Sequence, residues 1–88
     1  MKVEFKNSFA RDLRKVKDKN IRRQLQELIE AVEQTESIRQ LKNVKKLRGS
    51  DKYYRIRVGD YRLGIISQQE LVVFVRFLHR REIYRYFP

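Results

Sequence analysis

Apolar and polar residues alternate over residues 2–6, KVEFK, with Val3 and Phe5 on one side, and this pattern predicts a short first strand. The period then changes. Phe9, Leu13 and Val16 recur at helical spacing, and after a polar break Ile21, Leu25, Leu28, Ile29 and Val32 do so again. Asn7 or Ser8 can cap the first of these helices, and Asp18 or Asn20 the second. Two amphipathic helices in succession form a hairpin whose apolar stripes are core, and neither stripe suggests chemistry.

Residues 37–52 lack a clear period and carry Arg39, Lys42, Lys45, Lys46, Arg48 and Lys52, ending in the turn-forming Gly49-Ser50-Asp51. They read as a basic connector pinned to the core by Leu41, Val44 and Leu47, with room for a short helical turn. The clearest local pattern follows: YYRIRV over 53–58, Gly59-Asp60, then YRLGIIS over 61–67. A Gly-Asp pair between two β-prone runs predicts a hairpin with a primed turn, Gly59 taking positive φ at its first position. The register follows from the turn: Val58 faces Tyr61, Arg57 faces Arg62, Ile56 faces Leu63, Arg55 faces Gly64 and Tyr54 faces Ile65. Alternation then puts Tyr54, Ile56, Val58, Tyr61, Leu63 and Ile65 on one face and Arg55, Arg57 and Arg62 on the other.

After a Gln68-Gln69-Glu70 turn, LVVFVRFLH (71–79) predicts one more strand, its odd positions apolar up to Phe77, with Arg76 and Arg80 on the even face. A short helical turn closes the chain. The expected fold is a single α+β domain over 1–88, β-α-α-β-β-β with a C-terminal helical segment, its antiparallel sheet packed on the helical hairpin.

Charge sharpens the picture. The 22 Lys and Arg against 11 Asp and Glu give a net charge of +11, which points to a polyanionic partner. Residues 1–38 carry nine basic and seven acidic residues, residues 39–88 thirteen and four. The excess therefore sits on the β-rich half, on folded structure rather than a tail. With no cysteine, no disulfide or thiolate metal site is available, and with no long apolar run neither export nor membrane insertion is expected; the cytoplasm is the default compartment.

Arg57 directly opposite Arg62, with Arg55 beside them, is a repulsive arrangement. The hairpin offers only Asp60, at its tip, to offset it, so a bound anion is the economical explanation; the alternative is arginines that merely solvate an exposed face. Guanidinium groups grip phosphate in a planar, bidentate way and stay charged at any working pH. Tyr53, Tyr84, Tyr86 and Phe87 lie among the cations, a mixture suited to single-stranded RNA, whose bases stack on rings while cations track the backbone.

The strings LRGSDKYYRIRVGDYRLGI and VRFLHRREIYRYFP, with the opening KVEFKNSFARDLRKV, resemble the RelE family of bacterial toxins in order and spacing over nearly the whole chain. The resemblance implies an endoribonuclease that cuts messenger RNA in the ribosomal A site, needs no metal or other cofactor, and is neutralised by a cognate acidic antitoxin. It places Arg55 and Arg57 at the family's two basic strand positions, Arg62 at the arginine after the turn, Arg80 at the arginine ending the last strand, and Tyr84 at the functional tyrosine. The implied chemistry is attack of a ribose 2′-hydroxyl on the adjacent phosphate, with Arg57, Arg62 and Arg80 stabilising the phosphorane-like charge and Arg55 positioning the phosphate. Lys52, Tyr53 and Arg81 flank them as substrate contacts.

Some relatives carry lysine where this chain has Arg55 and Arg57, and arginine cannot serve as a general base, so proton abstraction must fall elsewhere or the reaction be driven mainly by orientation and charge stabilisation. Tyr84 can stack or relay a proton. His79 and Glu82 are the other acid–base candidates, against which stand packing of His79 beside Phe77 and an ion pair of Glu82 with Arg81 or Arg85. Two rival readings share the scaffold: a ParE-type inhibitor of DNA gyrase, and an RNA-binding relative that no longer cleaves.

Overall fold

The computed structural model describes residues 1–88. Its elements are β1 (Lys2–Phe5), α1 (Asn7–Arg14), α2 (Lys19–Gln34), a single 3-10 turn at Ile38–Gln40, β2 (Val44–Lys46), β3 (Tyr53–Val58), β4 (Tyr61–Gln68), β5 (Leu71–His79) and α3 (Ile83–Tyr86). The strands form one sheet in the order β1-β5-β4-β3-β2. The α+β class and helical hairpin are as expected, with two differences in the sheet. Its first strand joins β5 in parallel, Lys2 opposite Leu71 through Phe5 opposite Phe74, so the sheet is mixed rather than wholly antiparallel. The basic connector also contributes a strand, β2, paired antiparallel to β3.

The β3–β4 register is the one the Gly-Asp turn dictates, from Val58 opposite Tyr61 to Tyr54 opposite Ile65. Gly59 has φ of 58°, the left-handed region that favours glycine, and a Cβ there would also push against the terminal methyl of Ile21 at 2.7 Å. Tyr54, Ile56, Val58, Leu63 and Ile65 are buried under the helices, against Phe9, Leu25 and Val32. Each such aliphatic side chain contributes about 1.5–3 kcal/mol by leaving water.

Strict alternation fails on β5. Gly64 faces Arg76 but Ile65 faces Phe74, so Val75 is an extra residue, a bulge, and the strand changes phase there. Val72 and Phe74 reach the core before it and Phe77 after it, which corrects the expectation that the odd positions form one continuous apolar face. The bulge lies where α1 takes over from β1 as the neighbour of β5. Ser8 Oγ donates to the Val75 carbonyl at 2.6 Å rather than capping α1, whose N-cap is Lys6 with no side-chain cap. Asp12, only 5% exposed, accepts from the Phe77 backbone N–H at 2.9 Å and receives a bidentate grip from Arg76 at 2.8 and 3.0 Å. The edge groups that the parallel strand leaves unpaired are thus satisfied by a helix.

Asp18 does cap α2, its carboxylate accepting from the Asn20 and Ile21 backbone N–H groups. Arg22 in turn donates to the carbonyls of Leu13 and Val16 at the end of α1, which ties the two helices of the hairpin together. No helix is long and apolar enough to cross a membrane.

Candidate functional site

Because register partners share a face, the β3–β4 pairing places Arg55, Arg57 and Arg62 together on the side of the sheet away from α1 and α2. The C-terminal segment folds onto this same side. Ile83 is buried, and the Phe87 ring lies flat over Gly64, where a Cβ would come within 2.7 Å of it. Glycine at 64 therefore leaves a seat for Phe87, which meets Tyr53 edge-on at 5.7 Å. The seating of α3 carries Tyr84 over the arginines: its ring lies 4.5 Å from the Arg55 guanidinium carbon, yet the residue is 73% exposed. A ring held by a cation on one side and open to water on the other is a ready stacking surface.

Arg55, Arg57, Arg62 and Tyr84 line an open cleft of about 310 Å³ with Asn43, Val44 and Lys45. Arg62 is anchored at the hairpin tip, donating to the carbonyls of Gly59 at 3.0 Å and Tyr61 at 2.9 Å. Asn43, in the left-handed region at φ 64°, accepts from the Arg57 backbone N–H at 3.1 Å and lies 3.4 Å from its guanidinium. Burial, and then the charges of Arg57, Arg55 and Arg80, lower the Arg62 pKa from its ordinary value, opposed by Tyr84. No carboxylate forms an ion pair with any of these arginines; the ion pairs of the molecule are Asp12–Arg76 and Arg23–Glu27. The cleft thus holds concentrated, uncompensated positive charge.

The remaining candidates divide. Arg80 is brought beside the hairpin tip by its backbone N–H, which donates to the Asp60 carbonyl at 2.8 Å, and its charge reaches Arg62 without lining the cleft. Arg76 does not join the cluster: it turns to Asp12 and lies 5.6 Å from the Tyr86 ring. Lys52 and Tyr53 stand at the far end of β3, Lys52 over the Tyr53 ring at 5.5 Å, outside the cleft. Arg81 is exposed and also outside it, its backbone N–H donating to His79 Nδ1. His79 pairs with Tyr61 across β4 and β5 on the helix-facing side, its ring 5.8 Å from that of Tyr61, and so cannot reach the arginines. Glu82 is exposed and makes no ion pair with Arg81 or Arg85.

Two cleft residues had no distinguishing mark in the sequence. Asn43 and Lys45 belong to the connector, and only the pairing of β2 with β3, with Lys45 opposite Arg55, puts Lys45 on the arginine face. A second, larger groove of about 640 Å³ continues from the cleft past Lys45, Arg55 and Tyr84, floored by Leu47, Ile83 and Phe87.

The molecule is thus a mixed sheet backed by a helical hairpin, with an arginine cleft on its other face and a short C-terminal helix closing one side. The chain belongs to the RelE/ParE toxin family, residues 3–84 matching the family described as ParE toxin of the type II toxin–antitoxin system parDE. It is 44% identical over 89 residues to Toxin RelE3 of Methanocaldococcus jannaschii, with all of both chains covered. Its structure matches a chain of the RelB-RelE antitoxin–toxin complex from Methanococcus jannaschii with TM-score 0.82 and 41% identity, covering 97% of this chain and 99% of that one. The archaeal RelE-RelB complex from Pyrococcus horikoshii matches with TM-score 0.73 at 23% identity over 90% and 93% of the two chains, a likeness of fold.

Proposed function

We propose that this chain is a ribosome-dependent messenger RNA endoribonuclease that inhibits translation by metal-independent attack of a 2′-hydroxyl on the adjacent phosphate. The observation that carries the reading is the cleft itself: Arg55, Arg57 and Arg62 within one open concavity, without a carboxylate partner, beside an exposed tyrosine. Arginines fixed before the substrate arrives stabilise the charge that gathers on the phosphorane oxygens, and this is the way a protein accelerates phosphate transesterification with no ion to help. Arg80 adds to the field at Arg62, and Tyr84 presents its ring to a base.

The matching family description names ParE, which favours a gyrase-binding inhibitor as the second reading. Inhibiting gyrase does not require a cation cluster aimed at a phosphate, whereas charge stabilisation in phosphate transesterification does. Purified protein incubated with translating ribosomes, with cuts mapped by primer extension, is expected to give discrete cuts in the message. Intact message, together with inhibited gyrase supercoiling, would establish the second reading instead.

Tyr84 serves by its ring, its hydroxyl or both. Tyr84→Phe keeps the stacking surface, so a rate near wild type assigns the residue to base stacking, worth about 1–3 kcal/mol per base. A loss of roughly 100-fold or more assigns it to proton transfer. Tyr84→Ala cutting ribosome-bound message as fast as wild type removes Tyr84 from the site.

Toxins of this fold are found complexed with RelB antitoxins. The partner proposed here is a cognate antitoxin with an acidic segment that folds on the arginine face, drawn by the net charge of residues 39–88. Raising salt is expected to slow association more than it speeds dissociation. Hydrogen-exchange protection confined to α1 and α2 on complex formation would count against occlusion of the cleft.

A further inference from the structure

Cleavage by a 2′-hydroxyl leaves a 5′ oxygen that departs as an alkoxide unless a proton reaches it. Among the residues lining the cleft, Asn43, Val44, Arg55, Arg57, Arg62, Tyr84 and Lys45, the arginines hold their protons and the first two have none to give. His79 is on the opposite face of the sheet and Glu82 lies outside the cleft. Lys45 and Tyr84 are the remaining groups able to transfer a proton; Tyr84 is held by its ring over Arg55, whereas the Lys45 ammonium is unrestrained and can follow the departing oxygen.

Lys45 stands directly across the β2–β3 ladder from Arg55, at a Cα separation of about 5 Å for such a pair. It is exposed and makes neither an ion pair nor a side-chain hydrogen bond, so its ammonium is free to turn toward a ligand. With Arg55 and Tyr84 it lines both the cleft and the adjoining groove, so it borders the place where a strand lying across the two would sit.

We propose that Lys45 is the general acid of the cleft, giving its Nζ proton to the departing 5′ oxygen; this rests on the endoribonuclease reading above. The 2′ oxygen forms its bond to phosphorus and releases its proton to water, and the bond from phosphorus to the 5′ oxygen breaks as the Lys45 proton arrives. The lysine amine then regains a proton from water, so the reaction consumes none and the products are a 2′,3′-cyclic phosphate and a free 5′-hydroxyl. The division of labour follows from chemistry: arginine, which does not let go of its proton, stabilises charge, while lysine, which can, transfers it.

The test uses a message carrying sulfur in place of the bridging 5′ oxygen at the cut mapped for the wild type, because a thiolate leaves without protonation. On the oxygen message, single-turnover cleavage by Lys45→Met and by Lys45→Arg is expected to fall roughly 100-fold or more. Both variants should match wild type on the sulfur message, whereas Arg57→Ala, which lacks charge stabilisation, stays slow on both. Full activity of Lys45→Met or Lys45→Arg on oxygen overturns the proposal, and so does a loss that sulfur does not restore. If the wild type cuts neither message the endoribonuclease reading itself fails, which is a different result from a Lys45 variant that is equally slow on both. An unchanged thermal melt is expected for each variant of this exposed residue.

Discussion

Replacing Arg62 or Arg57 with alanine is expected to abolish growth arrest on induced expression while leaving a folded protein. Both side chains point away from the buried face of the sheet, and the pair sits directly opposed across β3 and β4. Burial first and the Arg57 charge next lower the Arg62 pKa; removing that charge relieves the cross-strand repulsion, so Arg57→Ala should melt at or slightly above the wild-type temperature. Arg62→Ala also gives up its bonds to the Gly59 and Tyr61 carbonyls. Two net hydrogen bonds are worth about 1–3 kcal/mol, and because both carbonyls lie at the solvent-facing turn, water replaces most of that. Against these small changes in stability, removal of one preorganised charge-stabilising donor should slow cleavage by roughly 100- to 1,000-fold. Growth curves, a thermal melt and single-turnover cleavage on ribosomes measure the three quantities. Toxicity unchanged in both variants would defeat the phosphate-site reading.

Asp12→Ala should have the largest effect on stability. The carboxylate serves three donors from beneath the sheet edge, two on Arg76 and the Phe77 backbone N–H. Removing it strands a buried peptide N–H at the β5 bulge and leaves the Arg76 guanidinium without its acid. Breaking a buried pair costs about 3–5 kcal/mol. The Arg76 side chain keeps 26% of its exposure and can partly rehydrate, so about 2–4 kcal/mol is expected here, a fall in Tm on the order of 10–20 °C for a domain of this size. The pair raises the Arg76 pKa from an already high value. So far as Arg76 titrates, and while the Asp12 carboxylate is ionised, the stabilisation is present at pH below the ordinary arginine value and is lost as pH climbs through the raised one. Mildly alkaline pH should not weaken it. Asp12→Asn, which keeps an acceptor for Phe77, should lose less than Asp12→Ala, and Arg76→Met in the Asp12→Ala background should cost little more. A melt of Asp12→Ala within a degree or two of wild type would show that the edge is satisfied some other way.

The arginine face is legible in the amino-acid sequence because a two-residue turn leaves no freedom of register. Once Gly59-Asp60 closes the hairpin, the pairing of Arg57 with Arg62 and the separation of Arg55, Arg57 and Arg62 from the core follow residue by residue. The capping of α2 by Asp18 is equally local, one side chain reaching the next turn of its own chain. Tyr84 is identifiable as a residue by resemblance, but the sequence carries no sign of how it reaches Arg55. That depends on Phe87 seating over Gly64, a contact between residues 23 positions apart.

Features made by long-range pairing leave no local trace. Val44–Lys46 has too few residues to show a period and is a strand because β3 offers it an edge, and with that strand come Lys45 and Asn43. The bulge at Val75 exists because β5 pairs with β4 on one side while its other side passes from β1 to α1; alternation, a property of one strand, cannot register a change of neighbours. For the same reason Asp12 reads as one more polar residue on an amphipathic helix and is in fact buried at the end of that strand. Sequence by itself determined the helices and every strand but β2, the hairpin register and the charge of its open face, since these follow from steric and hydrogen-bond rules acting over a few neighbouring residues. Tertiary structure alone decided which basic residues share the cleft, that His79 lies on the far side of the sheet, and how Tyr84 is held over Arg55, because each depends on contacts between segments distant in the chain.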